Sequence, residues 1–392
     1  MNASSIELFA GAGGLALGAG RAGFKPVKVV EYNKHCRATL KLNMKRANGP
    51  MQGWPDELGM DVQQQDYTAH EGKVDLVSGG PPCQPFSMGG RHNAQADRRD
   101  MFPEAVRAVR ESRPKAFLFE NVKGLTRASF AAYFEYIRLQ LAHPHLMARV
   151  EEDWSEHLAR LEKHHTSTRD TADDYRVVTQ VMNAADYGVP QQRHRVFFVG
   201  IRADLGRSYA FPKPTHSRAA LAAEIASGLY EDRMGVSNST LALPPQMKRT
   251  VAKAKKDMSF AAESGALPWK TVREALADVP APKFDGVEGW LNHLRRRGAK
   301  AYPGHTGSDM DYPAKALKAG VHGVPGGENM MRHANERVRY FTVRESARIQ
   351  TFPDDYELTG SWSEAMRQLG NAVPVELAHV VAKELRSALI SA

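Results

Sequence analysis

Through the first 200 residues, short apolar runs alternate with longer stretches of helical periodicity. Ile6-Glu7-Leu8-Phe9, Val27-Lys28-Val29-Val30, Val74-Asp75-Leu76-Val77, Ala116-Phe117-Leu118-Phe119 and Val196-Phe197-Phe198-Val199 read as strands. Between them, Leu15 to Ala22 and Phe102 to Glu111 read as helices, the second with Val106 and Val109 on one face. Strands alternating with helices predict an α/β fold of the doubly wound type, with a parallel sheet and ligands at the strand C-terminal ends. The pattern then changes. Glu151 to Asp174 is highly charged, with Trp154, Leu158 and Leu161 at helical spacing, and predicts a surface helical insertion with a solvated face. From Asp204 to about Arg332 the alternation fades into sequence rich in Pro, Gly, Lys and Arg. That stretch predicts a second domain of short strands and long loops. Regular pattern returns near Arg337, and Pro374 to Leu389 reads as an amphipathic helix. The expected division is residues 1–203 with 361–392 in one domain, 204–360 in a smaller irregular one, and 151–174 as the insertion.

A chain of 392 residues exceeds the usual single core, which agrees with that division. No apolar run approaches the roughly 18–20 residues of a membrane span. The first residues carry no export signal, so a cytoplasmic protein without membrane attachment is expected. The two cysteines, Cys36 and Cys83, argue against a disulfide framework and a cysteine-based zinc site. The fifteen histidines are spread along the sequence, and no metal is expected. A formal net charge of +9 favours a polyanionic partner such as nucleic acid.

Candidate chemistry sits where strands end. Gly79-Gly80-Pro81-Pro82-Cys83-Gln84-Pro85-Phe86-Ser87 places a thiol on a stiff loop directly after an apolar strand. The glycines permit a sharp turn, the prolines restrict φ, and a thiolate held there is a nucleophile in a fixed place. Phe9-Ala10-Gly11-Ala12-Gly13-Gly14 is a strand running into a glycine turn that allows a ligand close to the backbone. Glu31 ends the second strand, where a carboxylate can accept both hydroxyls of a ribose, and Asp66 stands about where a third strand would end, within reach of an adenine amino group. No phosphate-loop lysine motif accompanies them, so a nucleoside cofactor without a phosphate chain, such as S-adenosylmethionine, fits better than a triphosphate. Glu120 ends the strand beside the cysteine loop, and alternation puts Gln191, Arg193 and Arg195 on one face of an extended segment.

Taken in order, these segments resemble the DNA cytosine-5 methyltransferase family. So do two late stretches, Arg344-Glu345-Ser346-Ala347-Arg348-Ile349-Gln350-Thr351-Phe352-Pro353 and Gln368-Leu369-Gly370-Asn371-Ala372-Val373-Pro374. The resemblance implies a Rossmann-like methyltransferase domain with a smaller target-recognition domain. It implies Cys83 as the nucleophile toward C6 of a flipped-out cytosine, Glu120 at N3, Arg195 at O2, and Arg193 and Gln191 in support. It assigns Phe9, Gly11, Gly13, Gly14, Glu31, Asp66, Met101, Asn371, Ala372 and Val373 to S-adenosylmethionine. The loop after Cys83, with Ser87, Arg98 and Arg99, is expected to close over the base, and Lys315, Lys318 and His322 are expected to meet double-stranded DNA. A monomer is expected, with a restriction endonuclease of the same site as a possible partner. A transfer-RNA-directed branch of the family is the rival; the long basic variable region and the missing Cys-Phe-Thr motif weigh against it.

Overall fold

Seven strands make one sheet, and six of the seven run the same way. The computed structural model describes residues 3–82, 100–167, 171–256, 265–319 and 327–390; Cys83, Ser87, Arg98, Arg99 and His322 lie outside them. In chain order the elements of the first half are β1 (Ala3–Leu8), α1 (Gly14–Arg21), β2 (Phe24–Val30), α2 (Lys34–Met44), β3 (Leu58–Gly59) and β4 (Leu76–Gly79). Then come α3 (Phe102–Ser112), β5 (Ala116–Val122), α4 (Ala131–Ala142), α5 (Trp154–Ser167), β6 (Tyr175–Asn183), β7 (Gln191–Gln192) and β8 (His194–Arg202). The sheet order is 3-2-1-4-5-8-6. β1 to β5 are parallel, and β8 is antiparallel to both neighbours, so the sheet is mixed where a parallel one was expected. The reason is local. β6 and β8 follow one another through a short connection, which can join antiparallel strands but is too short for a parallel crossover.

All five predicted strands form. β6 was not foreseen, because this edge strand carries Arg176, Thr179 and Gln180 among its apolar residues and shows no continuous apolar run. Each sheet face is covered. On one, α3, α4 and α5 pack over Ile6, Val77, Phe117 and Phe119. On the other, α1 and the C-terminal helix Val375–Ile390 pack over Leu76, Leu118 and Val199. The charged helix α5 buries Leu161 fully and leaves its other faces to solvent.

The second half departs from the reading of short strands and long loops. Residues 218–256 form three helices, Arg218–Ser227, Leu229–Met234 and Pro245–Lys256, around Leu221, Tyr230 and Met247. Ala and Leu dominate the first, and such residues lose little freedom in a helix. Beyond them, the described strands are two or three residues long, as expected. Packing also crosses the expected boundary at residue 360. Ala347, Phe352, Tyr356 and Leu358 share one apolar cluster with Ala12, Leu17 and Leu40, residues from the other side of that boundary. Arg344, fully buried, braces this stretch by donating to the carbonyls of Leu291, Pro353 and Tyr356. Among the described residues no helix is long and apolar enough to cross a membrane.

Candidate active site

The C-terminal ends of β1, β2, β4 and β5 open into one cleft of about 800 Å³. That size lies within the roughly 300–1,000 Å³ of clefts that take a medium-sized organic ligand. The turn after β1 is what makes it. Phe9 has φ +50°, a left-handed conformation that is rare for an aromatic residue. Gly11 and Gly13 follow at +55° and +83°. The chain thereby reverses into α1 and leaves Phe9, Ala10, Gly11 and Gly14 on the cleft wall. Gly14 has no room for a side chain, since a Cβ there would lie 2.2 Å from the Val373 carbonyl oxygen. This contact seats Asn371, Ala372 and Val373 in the wall beside β1. Gly13 shapes the turn from behind, against Met51 and Leu40, and does not line the cleft. Tyr356 ties the late segment to the same turn through a 2.6 Å hydrogen bond from its hydroxyl to the Ala12 carbonyl.

Glu31 is nearly buried at the end of β2. Its carboxylate accepts from the Gly11 and Asn33 amides, one on each oxygen, both at 2.6 Å. Each oxygen keeps acceptor capacity, so the group can receive two neighbouring hydroxyls. Burial pushes its pKa up, against the pull of these two amides and of Arg37. Apolar Val30, Met60, Val62 and Met101 complete this side. Asp66 does not reach it. Exposed to solvent, it accepts from the Thr68 amide at 2.8 Å and hydroxyl at 2.7 Å, capping its own turn. β3 is only two residues long and ends at Gly59, so the acidic residue carried to the cleft is Asp61.

At the other end of the cleft, Glu120 and Arg195 form an ion pair, Oε1 to Nε 2.6 Å, both largely buried. Antiparallel pairing of β5 with β8 sets them nearly opposite, Glu120 facing Phe197 and Val122 facing Arg195. Burial pushes the Glu120 carboxyl up, while Arg195 and Arg193 pull it back. Gly80 comes close enough that a Cβ would sit 3.2 Å from Glu120 Oε2. Asn121 Nδ2 holds the Pro81 carbonyl at 2.9 Å, and the Met101 amide holds that of Pro82 at 3.0 Å. The backbone on both sides of residues 83–99 is thus fixed at the cleft rim, next to Glu120. Cys83 itself lies outside the described residues. The second cysteine, Cys36, also lines the cleft, but its thiol is pushed up to about 12, first by burial and then by Glu31 and Glu364. It is protonated at neutral pH and a poor nucleophile.

Gln191 and Arg193 are buried behind the cleft. Arg193 donates to the carbonyls of Leu317 at 3.0 Å and Gly370 at 2.5 Å, and Gln191 Oε1 accepts from the Leu317 amide at 3.3 Å. They join the stretch from β7 to the start of β8 to the 314–319 segment and the helix Trp362–Asn371. Lys315 and Lys318 lie on that segment, outside the cleft lining, bonded to Thr306 and Glu328. Sequence reasoning missed Asp61, Glu364, Arg367 and Gln368 in the wall. Glu364, Arg367 and Gln368 carried a signal: together with the predicted Asn371 they recur at helical spacing on one face. Histidines spread along the sequence are brought together by the fold. His145, His164 and His165 gather around His143, which bonds Asp174, because the turn between α4 and α5 folds two distant pairs together.

The family model for C-5 cytosine-specific DNA methylases matches residues 3–143 and 159–387. The Type II methyltransferase M.PspPI of Psychrobacter sp. is 34% identical over 385 residues, covering 97% of this chain and 78% of its own. M.NgoMIV of Neisseria gonorrhoeae is 29% identical over 391 residues, covering 99% of both. Two solved structures share the fold. Dnmt2 of S. pombe has a TM-score of 0.55 at 16% identity, over 99% of this chain and 98% of its own. A Spodoptera frugiperda DNMT2 mutant has 0.53 at 16% identity, over 100% of each.

Proposed function

The chain belongs to the C-5 cytosine-specific DNA methylase family, and from that premise we propose that it methylates C5 of a cytosine swung out of duplex DNA, with S-adenosylmethionine as methyl donor. The observation that carries this reading is one continuous cleft. It holds the clamped Glu31 at one end and the Glu120–Arg195 pair beside Gly80-Pro81-Pro82 at the other.

The donor set fits the cofactor. Glu31 has two free acceptor positions for a ribose diol, and Phe9, Val30 and Val62 offer apolar walls to a flat base. Asn371, Ala372 and Val373 close the cleft over Gly14. When bound, S-adenosylmethionine supplies an electrophilic methyl group. The chain's own residues must make cytosine C5 able to take it. The Cys83 thiolate adds to C6, breaking the aromatic ring and making C5 an enamine carbon. Glu120 holds N3 and gives it a proton, which removes the charge that addition creates. Arg195 bonds O2 and keeps Glu120 oriented. After C5 takes the methyl group, a base removes its proton and the C6–sulfur bond breaks, which restores the ring and frees the thiolate.

Gln191 and Arg193 act as positioning residues between the cleft and the 314–319 segment. Residues 204–340 are the DNA-reading region in this account, with Ser87, Arg98, Arg99, Lys315, Lys318 and His322 as the contacts toward DNA. The Type II methyltransferase relatives support a place in a restriction–modification system. The test is transfer of tritiated methyl to duplex DNA and, separately, to transfer RNA. Label in DNA that disappears in Cys83→Ser, with DNA binding retained, is the expected result. Label in transfer RNA alone would assign the substrate to the rival, and turnover by Cys83→Ser would remove Cys83 from the chemistry.

A further inference from the structure

The four converging histidines and Asp174 lie far from the cleft. α4 runs back from the C-terminal edge of the sheet, so His143, just past its end, stands at the opposite edge, where β6 begins after Asp174. His145 follows two residues later, and His164 and His165 occupy the last turn of α5. His143 and Asp174 are buried. His143 Nδ1 is 2.6 Å from Asp174 Oδ1, and His143 Nε2 is 2.9 Å from His165 Nδ1. His145 Nδ1 lies 3.5 Å from the same Asp174 oxygen. One ligand atom each from His143, His164 and Asp174 fall within 4.8 Å of one another. The other Asp174 oxygen is held by the Thr171 amide at 2.6 Å and hydroxyl at 2.9 Å, which fixes the carboxylate with Oδ1 toward the rings.

We propose that this cluster is a site for a divalent transition metal of the zinc type, with His143, His164 and Asp174 as ligands and His145, whose Nδ1 lies 3.5 Å from Asp174 Oδ1, placed to complete the sphere. The chemistry of the set favours it. Imidazole nitrogen with one carboxylate oxygen suits Zn²⁺ or its d-block neighbours, and not the hard ions that take only oxygen. Zinc–nitrogen bonds of about 2.0–2.1 Å separate two tetrahedral ligand atoms by about 3.4 Å. Against that separation, His143 Nδ1 and His145 Nδ1 stand 2.6 and 3.5 Å from Asp174 Oδ1, and the three proposed ligand atoms lie within 4.8 Å of one another. A hydrogen-bonded network could hold one imidazole against Asp174. Such a network needs only that one ring, whereas here the His164 and His165 rings also lie 4.8 and 5.1 Å from that of His143. Metal binding would clasp α4, α5 and β6 together and stabilise the folded chain through its affinity for that state alone. The break in the family match, residues 144–158, falls on the stretch carrying His145 and the start of α5.

The experiment uses the full chain without a polyhistidine tag, stripped with a chelator and dialysed against Zn²⁺ or Co²⁺. Wild type is expected to retain about one equivalent and to melt at higher temperature with Zn²⁺ than with EDTA. His164→Ala combined with His165→Ala, two changes on the accessible end of α5, is expected to bind at least roughly tenfold more weakly and to lose that melting shift. Should the double variant misfold, the wild-type Co²⁺ spectrum decides, because imidazole-ligated tetrahedral cobalt absorbs visible light far more strongly than aquo cobalt. Failure of wild type to retain metal, cobalt of purely aquo character, or undiminished binding by a folded double variant would each overturn the site.

Discussion

Arg195 and Glu120 show how much one residue pair decides. Burial pushes the Glu120 carboxyl up, and Arg195 is the first influence pulling it down. Arg195→Met removes that pull along with the donor proposed for cytosine O2. Expected are a kcat lower by about 10²–10³ and an alkaline limb of the pH–rate profile moved to higher pH; a limb moved to lower pH would contradict Glu120 as the proton-bearing group. Glu7 gives a stability test at the same scale. It is fully buried in β1, bonded to Ser5 and Ser78, and burial raises its pKa. A carboxyl with a raised folded pKa lends stability below its unfolded pKa and loses it as pH climbs through the folded value. The melting temperature of Glu7→Gln relative to wild type should therefore rise from acid toward neutral and alkaline pH. A difference that shrinks with pH would contradict this. Glu120 was legible in the sequence because an apolar strand ends on it. Asp61 was not, because the two-residue β3 leaves no pattern to count from, and Asp66 was chosen in its place.

At the scale of elements, α1 and the C-terminal helix meet at Gly18. A Cβ there would fall 2.4 Å from Ala378 Cβ and 2.6 Å from the His379 amide nitrogen. Alanine favours a helix by about 1 kcal/mol over glycine, but overpacking costs typically about 1–3 kcal/mol. The backbone on the far side cannot yield as a side-chain tip can, so Gly18→Ala is expected to lower the melting temperature; a rise would mean that the two helices separate easily. The central strands could be read from the sequence because strands buried on both faces are continuously apolar. β6 could not, being an edge strand of mixed composition. The helices of residues 218–256 were hidden by their Lys- and Arg-rich surroundings, although the Ala- and Leu-rich stretch from Arg218 to Ser227 has high helix propensity.

For the whole molecule, the charge of +9 and the proposed extraction of a base make separate demands. Phosphate neutralisation predicts that duplex affinity falls steeply and linearly in log–log form as salt rises. Extraction predicts that a duplex with a mismatch at the target cytosine binds more tightly than the matched one, since unpairing then costs less. Equal binding of the two in competition at fixed salt would argue against a swung-out base. The catalytic half of this architecture was readable because its motifs sit at strand ends in chain order. The histidine cluster was not, since residues 143 and 145 meet 164 and 165 only after α5 turns back on α4.

The proposed chemistry rests on a bond between the Cys83 sulfur and cytosine C6, and one gel reads it directly. The chain is incubated with S-adenosylmethionine and duplex DNA in which 5-fluorocytosine replaces cytosine, then denatured in detergent. Fluorine cannot leave C5 as a proton does, so wild type should remain covalently attached to DNA and migrate as a single larger species, while Cys83→Ser gives none. Wild type that releases all DNA on denaturation, or a Cys83→Ser variant that stays attached, would contradict the mechanism.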